Sequence, residues 1–231
     1  MHYLFFDESY PRKSCGQIIF AGWAVEQDRL NRKPVRLQEL SRTPVLGSIN
    51  GMLEDLDAWA VVTRASLDPA LFRSGEMDGT DDVARMSRTD NVWATCSTFL
   101  VTALIAGFFA RVEGLAAIDV YHDPKSLTPA HDEARRQVLR GSVVRNAKEF
   151  STARNPELFK KLNIRRIEPV AKPSDPLSAN KFQIGVWVSH KLCSSADAVE
   201  AGQFSRIRTT DMSEEVRRTI QQFDGREFAD D

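Results

Sequence analysis

Two short apolar runs that each end at an aspartate constrain the fold of this chain more than any other feature of its sequence. His2 to Phe6 is aromatic and apolar and is followed by Asp7, and Leu115 to Tyr121 is followed, after one histidine, by Asp123. Runs of this length and composition are typical of buried β-strands. Because ligand-binding residues of open α/β sheets collect at the carboxyl ends of the strands, the two aspartates are predicted to lie side by side if their strands are neighbours.

The remaining pattern predicts an α/β fold with a mixed sheet. Three strands come first in the chain, with two short helices between the second and the third, and longer helices then alternate with strands. This order predicts three antiparallel strands followed by two helix–strand crossovers, which gives a mixed five-stranded sheet with helices on both faces. The predicted strands span residues 2–6, 17–25, 59–65, 115–121 and 164–170. The predicted helices span residues 34–40, 48–56, 90–112, 128–148, 178–193 and 213–223.

Length and composition indicate one folded domain with a short tail. The 231 residues are 42% hydrophobic and 27% charged, proportions that exclude wholesale disorder. We assign residues 1–208 to the domain and residues 209–231 to an amphipathic helix with an acidic tail. The three cysteines lie far apart without the C-x-x-C spacing of a zinc site, which predicts reduced thiols and a cytoplasmic protein. We also expect no secretory signal, because no basic segment precedes a long apolar stretch near the N-terminus.

One long uncharged segment raises the alternative of a membrane span. Residues 92–110 form a run of 19 residues without a charge, close to the roughly 20 that cross a bilayer. The run contains several threonines and serines and has no polybasic flank that would mark a cytoplasmic end. We therefore predict a core helix and no membrane contact, with a membrane-associated protein as the weaker alternative.

Basic residues are concentrated in one stretch of an otherwise neutral chain, whose formal net charge is −1. Between Arg135 and Lys172 there are eleven lysines and arginines against three glutamates. Neutralisation of phosphates by such residues is the main source of sequence-independent affinity for nucleic acid. The alternative is a solvated helix face, which is the commoner meaning of a charge run. The predicted contacts to DNA or RNA are Arg135, Arg136, Arg140, Lys160, Lys161, Arg165 and Arg166.

The two strand-end aspartates predict a metal site. Two carboxylates brought together at one edge of a sheet repel each other unless a cation lies between them. Oxygen ligands of this kind suit Mg²⁺ or Mn²⁺. Asp7 and Asp123 are therefore the predicted catalytic residues and metal ligands, and the alternative for each alone is an ordinary turn-forming residue at the end of a strand.

Three segments resemble a known family. Tyr3 to Ser9 resembles the opening of the domain-of-unknown-function 3800 family, whose members begin with an apolar strand and Asp-Glu-Ser-Gly. Ile118 to Asp123 is similar to the fourth strand of ribonuclease-H-like enzymes, which ends in a metal-binding aspartate, and Asn180 to Gly185 is similar to the family's Leu-Gln-Leu-Ala-Asp helix. The resemblance implies a ribonuclease-H-like fold and a metal-dependent nuclease that hydrolyses phosphodiesters with two cations.

Two positions depart from the family pattern. Tyr10 stands where the family has glycine after Asp-Glu-Ser. Val186 stands where the family helix ends in aspartate, and a valine cannot bind a metal. His190 lies one turn further on the same helical face, so it is a possible substitute ligand. The alternative is a histidine satisfied by a backbone carbonyl.

Three further acids are secondary candidates. Asp90 is either a metal ligand or, as its position favours, the N-cap of the long helix. Glu8 becomes available as a catalytic residue only if the first strand ends at Asp7, since otherwise it points to the opposite face. Asp119 is a reserve candidate, because it shares a strand face with Asp123.

These residues leave two functions open. The first is a metal-dependent nuclease that hydrolyses DNA or RNA, and such an enzyme needs more carboxylates than the two with the clearest positions. The alternative is a catalytically degenerate ribonuclease-H-like module that binds nucleic acid or a protein partner without cleavage, and Val186 favours it. The sequence predicts neither the choice between DNA and RNA nor an oligomeric state.

Overall fold

A computed structural model describes residues 1–12, 17–66, 88–109, 116–123, 141, 144–149, 156–157 and 162–218 of the chain. These residues form strands and helices, and residues 144–149 and 213–218, which lie outside the elements named next, are also helical. The strands are β1 His2–Arg12, β2 Gln17–Glu26, β3 Trp59–Ser66, β4 Ala116–His122, β5 Leu162–Pro169 and β6 Ile207–Asp211. The helices are α1 Gln27–Arg32, α2 Leu37–Leu40, α3 Val45–Asp55, α4 Arg88–Phe109, α5 Lys181–Ser194 and α6 Ala196–Ala201.

The six strands form one mixed sheet in the order β5-β4-β1-β2-β3-β6. The first three strands pair antiparallel, β4 lies parallel to β1, and β5 lies parallel to β4. The predicted α/β class and mixed sheet are therefore confirmed. The predicted number of strands was wrong, because β6 adds a sixth strand parallel to β3.

The sixth strand was missed because it carries almost no apolar signal. Of its five residues only Ile207 is buried, and the other four are exposed at the edge of the sheet. Strand prediction depends on alternating or continuous apolar residues, so an edge strand of this kind resembles a tail. The strand runs across residue 209, where the tail was predicted to begin, and the division of the chain at that residue stays a prediction.

Alternation along β1 divides the core between the two faces of the sheet. Leu4 and Phe6 pack in a cluster with α4, whereas Tyr3 and Phe5 pack in a second cluster with α3 and α5. Successive side chains of a strand point to opposite faces, so Asp7 continues the row of Tyr3 and Phe5. The first strand thereby delivers its aspartate to the face that α5 covers.

The uncharged segment predicted as a core helix forms α4. Cys96, Leu100 and Leu104 are fully or almost fully buried against the sheet. Among the helices that the structure describes, none is both long enough and apolar enough to cross a membrane.

A glycine allows helix α5 to pack closely against the sheet. A Cβ atom added at Gly185 would lie 2.3 Å from ring carbons of Phe5, far inside the contact distance of two carbon atoms. The indole Nε1 of Trp23 donates a hydrogen bond of 2.9 Å to the Gly185 carbonyl oxygen. The absence of a side chain therefore allows the backbone of α5 to lie directly against aromatic residues of β1 and β2.

The start of α5 is fixed by a capping box. The side-chain oxygen of Asn180 accepts hydrogen bonds of 3.0 Å from the backbone N–H groups of Phe182 and Gln183. The side chain of Gln183 in turn accepts a hydrogen bond from the backbone N–H of Asn180. This reciprocal arrangement satisfies N–H groups that have no partner within the helix.

Removal of the cap gives a modest and local prediction. Asn180→Ala is expected to lower the free energy of unfolding by about 1 kcal/mol, because two N–H groups of the first turn lose their acceptor. Urea denaturation followed by circular dichroism measures the change. Ser178→Ala is the control, since the Ser178 hydroxyl makes only a 3.5 Å contact with a backbone oxygen. Equal stability of the two variants would contradict a stabilising role for the capping box.

Candidate functional site

Asp7 and Asp123 lie together at the centre of the sheet. The parallel pairing of β1 and β4 ends with Phe6 opposite His122, so the next residue of each strand is one of the aspartates. Asp7 is 0% exposed and Asp123 is 4% exposed. The first strand differs from the prediction in one respect, because β1 does not end at Asp7 but continues to Arg12 in its pairing with β2.

A lysine lies between the two aspartates. The Nζ atom of Lys172 is 3.0 Å from Asp7 Oδ2 and 2.8 Å from Asp123 Oδ2. Its side chain is 21% exposed. Lys172 follows β5, the third strand of the parallel group, and so reaches the same edge of the sheet as the aspartates. The cation expected between the two carboxylates is therefore the ammonium group of the chain itself.

His190 completes the group from α5. Its Nδ1 atom lies 3.0 Å from Asp7 Oδ2 and 2.9 Å from Nζ of Lys172. When Nδ1 carries a proton it donates to the carboxylate, and when it does not it accepts from the ammonium group. The alternative predicted for His190, a hydrogen bond to a backbone carbonyl, is not the contact formed here. We call Asp7, Asp123, Lys172 and His190 the aspartate–lysine cluster.

The surroundings of Asp7 keep it ionised. Burial alone raises the pKa of its carboxyl, but the hydrogen bond from His190 and the positive charge of Lys172 outweigh it, so the pKa lies below its ordinary value. The backbone N–H of Glu8 adds a hydrogen bond of 2.9 Å to Asp7 Oδ1. Burial, opposed by the bonds and charges of the two aspartates, leaves the pKa of Lys172 above its ordinary value. The pair is therefore charged throughout the neutral range.

A buried cysteine lies behind the aspartate. Cys193 is on α5, and its Sγ atom donates to the backbone oxygen of Asp7 at 3.1 Å. Burial and the nearby charges of Asp7 and Glu8 raise the pKa of this thiol well above its usual range. A protonated, buried thiol is a structural hydrogen-bond donor rather than a nucleophile.

The charged pair predicts a change in the acid stability of the protein. Because the folded pKa of Asp7 lies below its unfolded value of about 3.9, its stabilisation is present above that pH and is lost as the pH falls through the folded pKa. Asp7→Asn is therefore expected to flatten the decline of unfolding free energy below about pH 4. Denaturation in urea across pH 2–7 measures the slope.

The matched control for that slope is an exposed acid. Asp197→Asn removes a carboxylate whose side chain is 93% exposed, and it should leave the acid slope of the wild type in place. An Asp7→Asn protein that retains the full wild-type slope would contradict the ionisation of Asp7.

Lys172 affects stability at alkaline pH. Because its pKa in the folded protein is raised, its contribution to the free energy of unfolding is present below its unfolded pKa of about 10.4 and is lost as the pH rises through the folded pKa.

Glu8 does not join the cluster. It pairs with Phe20, which belongs to the core cluster on the α4 face, and β1 continues beyond it. Its side chain therefore points away from Asp7, and the condition for its predicted catalytic role is not met. The alternation of side chains along an uninterrupted strand is the physical reason.

The other predicted ligands lie apart from the cluster or outside the described side chains. Val186 is fully buried in the core between α5 and the sheet. The described part of α4 begins at Arg88, so Asp90 lies in the first turn and not at the residue before the helix. The side chain of Asp90 is outside the described residues.

Asp119 is held by two arginines of β5. Arg165 Nε lies 3.7 Å from Asp119 Oδ1, and Arg166 Nε lies 3.6 Å from Asp119 Oδ2. The register of β4 and β5 shifts between Ile118 and Asp119, and this irregularity brings two consecutive arginines to one aspartate. Their side chains remain 41% and 48% exposed. The other predicted nucleic-acid contacts, Arg135, Arg136, Arg140, Lys160 and Lys161, lie outside the described residues.

The donor set does not fit Mg²⁺ or Mn²⁺ in this arrangement. Within the described ranges there is no group of three or more histidine, cysteine, aspartate or glutamate residues placed to hold a metal ion. Asp7, Asp123 and His190 do converge, but the point on which they converge is taken by Nζ of Lys172. A divalent ion would have to expel that ammonium group before it could bind.

Comparison with known proteins adds distant structural likenesses. No family model and no curated protein matches this sequence. A chain in the structure of the PCNA:RNase HII complex from Archaeoglobus fulgidus is 16% identical, with a TM-score of 0.38 over 86% of this chain and 74% of that chain. The ribonuclease H2 from Pyrococcus horikoshii OT3 is 14% identical, with a TM-score of 0.35 over 96% of this chain and 98% of that chain. Likenesses of this strength identify neither a family nor an activity.

Sequence reasoning missed the role of Lys172. It counted this residue only as the last member of the basic stretch. The signal that identifies it is its position three residues after the end of β5, since ligand-binding residues collect at the carboxyl ends of parallel strands.

Proposed function

We propose that this chain is a ribonuclease-H-like domain, similar to the domain-of-unknown-function 3800 family, that binds nucleic acid without cleaving it. The observation that carries the proposal is the contact of Lys172 Nζ with both Asp7 and Asp123 at 3.0 and 2.8 Å. A tethered ammonium group cannot activate water or clamp the attacking and leaving oxygens of a phosphodiester as two divalent ions do. The cluster holds β1, at Asp7, and the carboxyl end of β4 together instead.

The topology supports the fold in this proposal. Three antiparallel strands are followed by two parallel ones, and helices pack on both faces. Asp7 lies within β1 and Asp123 directly after β4, its parallel neighbour, and the resemblance implies metal-binding residues at this place. The residues are retained at that position, but the family's aspartate after the Gln-Leu-Ala motif is replaced by the buried Val186.

The charges favour phosphate binding beside the cluster and not at it. Asp7, Asp123 and Lys172 together carry a net negative charge, which repels a phosphate. Arg165 and Arg166 lie one strand further out, and their guanidinium groups stay about half exposed. Their ion pairs with Asp119 are long, at 3.7 and 3.6 Å, and Arg166 Nη1 also lies 3.3 Å from Glu168 Oε1, so a phosphate would compete with weak, exposed contacts. We therefore assign the phosphate backbone of DNA or RNA to this pair of arginines.

A metal-dependent nuclease is the second candidate. The convergence of Asp7, Asp123 and His190 on one point favours it, since carboxylate and imidazole donors are both ligands of Mn²⁺. It requires that Lys172 leave its observed position.

One assay separates the two candidates. Labelled single- and double-stranded DNA and RNA are incubated with the protein and Mn²⁺ or Mg²⁺, beside Asp7→Asn and Asp123→Asn. If the chain is a binding module, the wild type and both variants bind nucleic acid and none of the three proteins cleaves it. Cleavage by the wild type that either substitution abolishes would overturn the module and support the nuclease.

The arginine pair gives the binding prediction. Changing both Arg165 and Arg166 to glutamine is expected to weaken binding at least about tenfold and to reduce the slope of log affinity against log salt by about 2. Arg208→Gln, on β6 at the opposite edge of the sheet, is the matched control and should change neither quantity. Equal affinity and equal salt slope for the double variant and the wild type would remove the arginine pair from the interface.

A further inference from the structure

We propose that Lys172 makes this site independent of divalent metal, because it supplies a covalently tethered cation at the point between Asp7, Asp123 and His190. The inference rests on the proposed function in one respect, since both assign this space to the ammonium group. It goes further by stating that the wild-type chain neither needs nor accepts Mg²⁺ or Mn²⁺ here, and that loss of the lysine charge opens a divalent site.

The ammonium group is closely surrounded where it lies. Its Nζ atom is 2.8 to 3.0 Å from one oxygen of each aspartate and from Nδ1 of the histidine, and Nδ1 accepts from it only when that nitrogen carries no proton. A metal ion would have to break these contacts and leave a positively charged group beside itself. The cost of that displacement is what excludes the ion.

The backbone delivers the lysine to this point. The N–H of Val170 donates a hydrogen bond of 2.8 Å to the carbonyl oxygen of His122, which extends the pairing of β4 and β5 beyond Pro169. Two residues later Lys172 lies beside Asp123. The pairing of the two strands therefore fixes the backbone to within two residues of the lysine.

The lysine is tethered to the chain. Its Nζ atom lies within 3.0 Å of an oxygen of each aspartate. A fixed positive charge also loses no translational freedom when it occupies the site, unlike an ion taken from solution.

The test measures metal binding without nucleic acid or activity. Wild type, Lys172→Met, Lys172→Gln and Lys172→Arg are treated with a chelator and titrated with Mn²⁺, with free Mn²⁺ followed by electron paramagnetic resonance. The melting temperature is recorded with and without the ion. Lys33→Met is the matched control, since it removes a lysine from an exposed pair with Asp55.

The expected results differ between the variants. The wild type, Lys172→Arg and Lys33→Met should show no saturable Mn²⁺ binding and no change in melting temperature. Lys172→Met and Lys172→Gln should bind Mn²⁺ saturably, with a dissociation constant at least about tenfold below the lower limit that the wild-type titration sets, a difference of about 1.4 kcal/mol. Their melting temperature should rise by roughly 5–10 °C at a hundredfold excess of Mn²⁺ over the dissociation constant. Asp123→Asn in the same background should abolish both effects.

Two outcomes would overturn the proposal. The first is saturable Mn²⁺ binding by the wild type that Asp7→Asn or Asp123→Asn removes. The second is a folded Lys172→Met or Lys172→Gln protein that gains no affinity for the ion. If neither lysine variant folds, the wild-type titration decides alone. Absence of nucleic-acid binding would contradict the proposed function but would not affect the Mn²⁺ titrations or the melting temperatures.

Discussion

Lys172→Met is expected to lower the free energy of unfolding by roughly 3 kcal/mol at pH 7 in the absence of divalent ions. Asp7 is fully buried, and Asp123 nearly so, and the ammonium group contacts an oxygen of each. Methionine fills a similar volume but leaves two carboxylates facing each other without the charge between them. Urea denaturation after treatment with a chelator measures the loss.

The controls for this prediction separate charge from packing. Lys33→Met removes a lysine from an exposed ion pair and is expected to cost less than about 1 kcal/mol. The double variant Lys172→Met with Asp7→Asn should lose at least about 1 kcal/mol less stability than the sum of the two single losses, because the second change removes the repulsion that the first creates. Strict additivity would mean that the two side chains do not interact.

Gly185→Ala is the second large expected effect, a loss of about 3 kcal/mol in the free energy of unfolding. The added methyl group would lie 2.3 Å from the Phe5 ring, which is itself fully buried. Neither the ring nor the helix has free space in which to move, so α5 must shift away from the sheet. That shift also lengthens the hydrogen bond from Trp23 to the Gly185 carbonyl.

The matched control is another helical glycine. A Cβ atom at Gly51 of α3 would meet nothing within 4 Å, so Gly51→Ala is expected to stabilise the protein by up to about 1 kcal/mol through helix propensity. The readout specific to the site is the nuclear magnetic resonance signal of the His190 ring, which should shift in Gly185→Ala because α5 carries the histidine away from its 3.0 Å contact with Asp7. A Gly185→Ala protein as stable as the wild type, with unchanged signals of the His190 ring, would contradict the packing described here.

The main strands were predictable because their sequences carry strong apolar signals. The runs ending at Phe6 and Tyr121 are short, buried on both faces and aromatic or β-branched, which is the pattern of central strands. The residues at which the strands begin and end were less predictable. The last part of β1, up to Arg12, is mostly polar and continues the antiparallel pairing with β2. Pairing of backbone groups does not show in the hydropathy of the side chains, so the sequence does not predict it.

The candidate site was predictable only where an apolar run ended at an acid. The parallel register of β1 and β4 brings Asp7 and Asp123 together, although β1 itself continues to Arg12. The contact with Lys172 was not predicted, because the long side chain of a lysine reaches in many directions and its local sequence does not indicate which. The same limit applies to His190, whose bond to Asp7 depends on how closely Gly185 lets the helix approach.

The parallel pairing of β6 with β3 delays completion of the sheet during synthesis of the chain. The ribosome has made β3 once it passes Ser66, but the strand that covers its outer edge ends only at Asp211. At roughly 5–20 residues per second, addition of the intervening residues takes on the order of 10 s. Throughout that interval the backbone of β3 presents unpaired N–H and C=O groups to neighbouring nascent chains. Pairing of β6 with β3 therefore ends the exposure of this sheet edge to neighbouring nascent chains. Formation of the aspartate–lysine cluster does not.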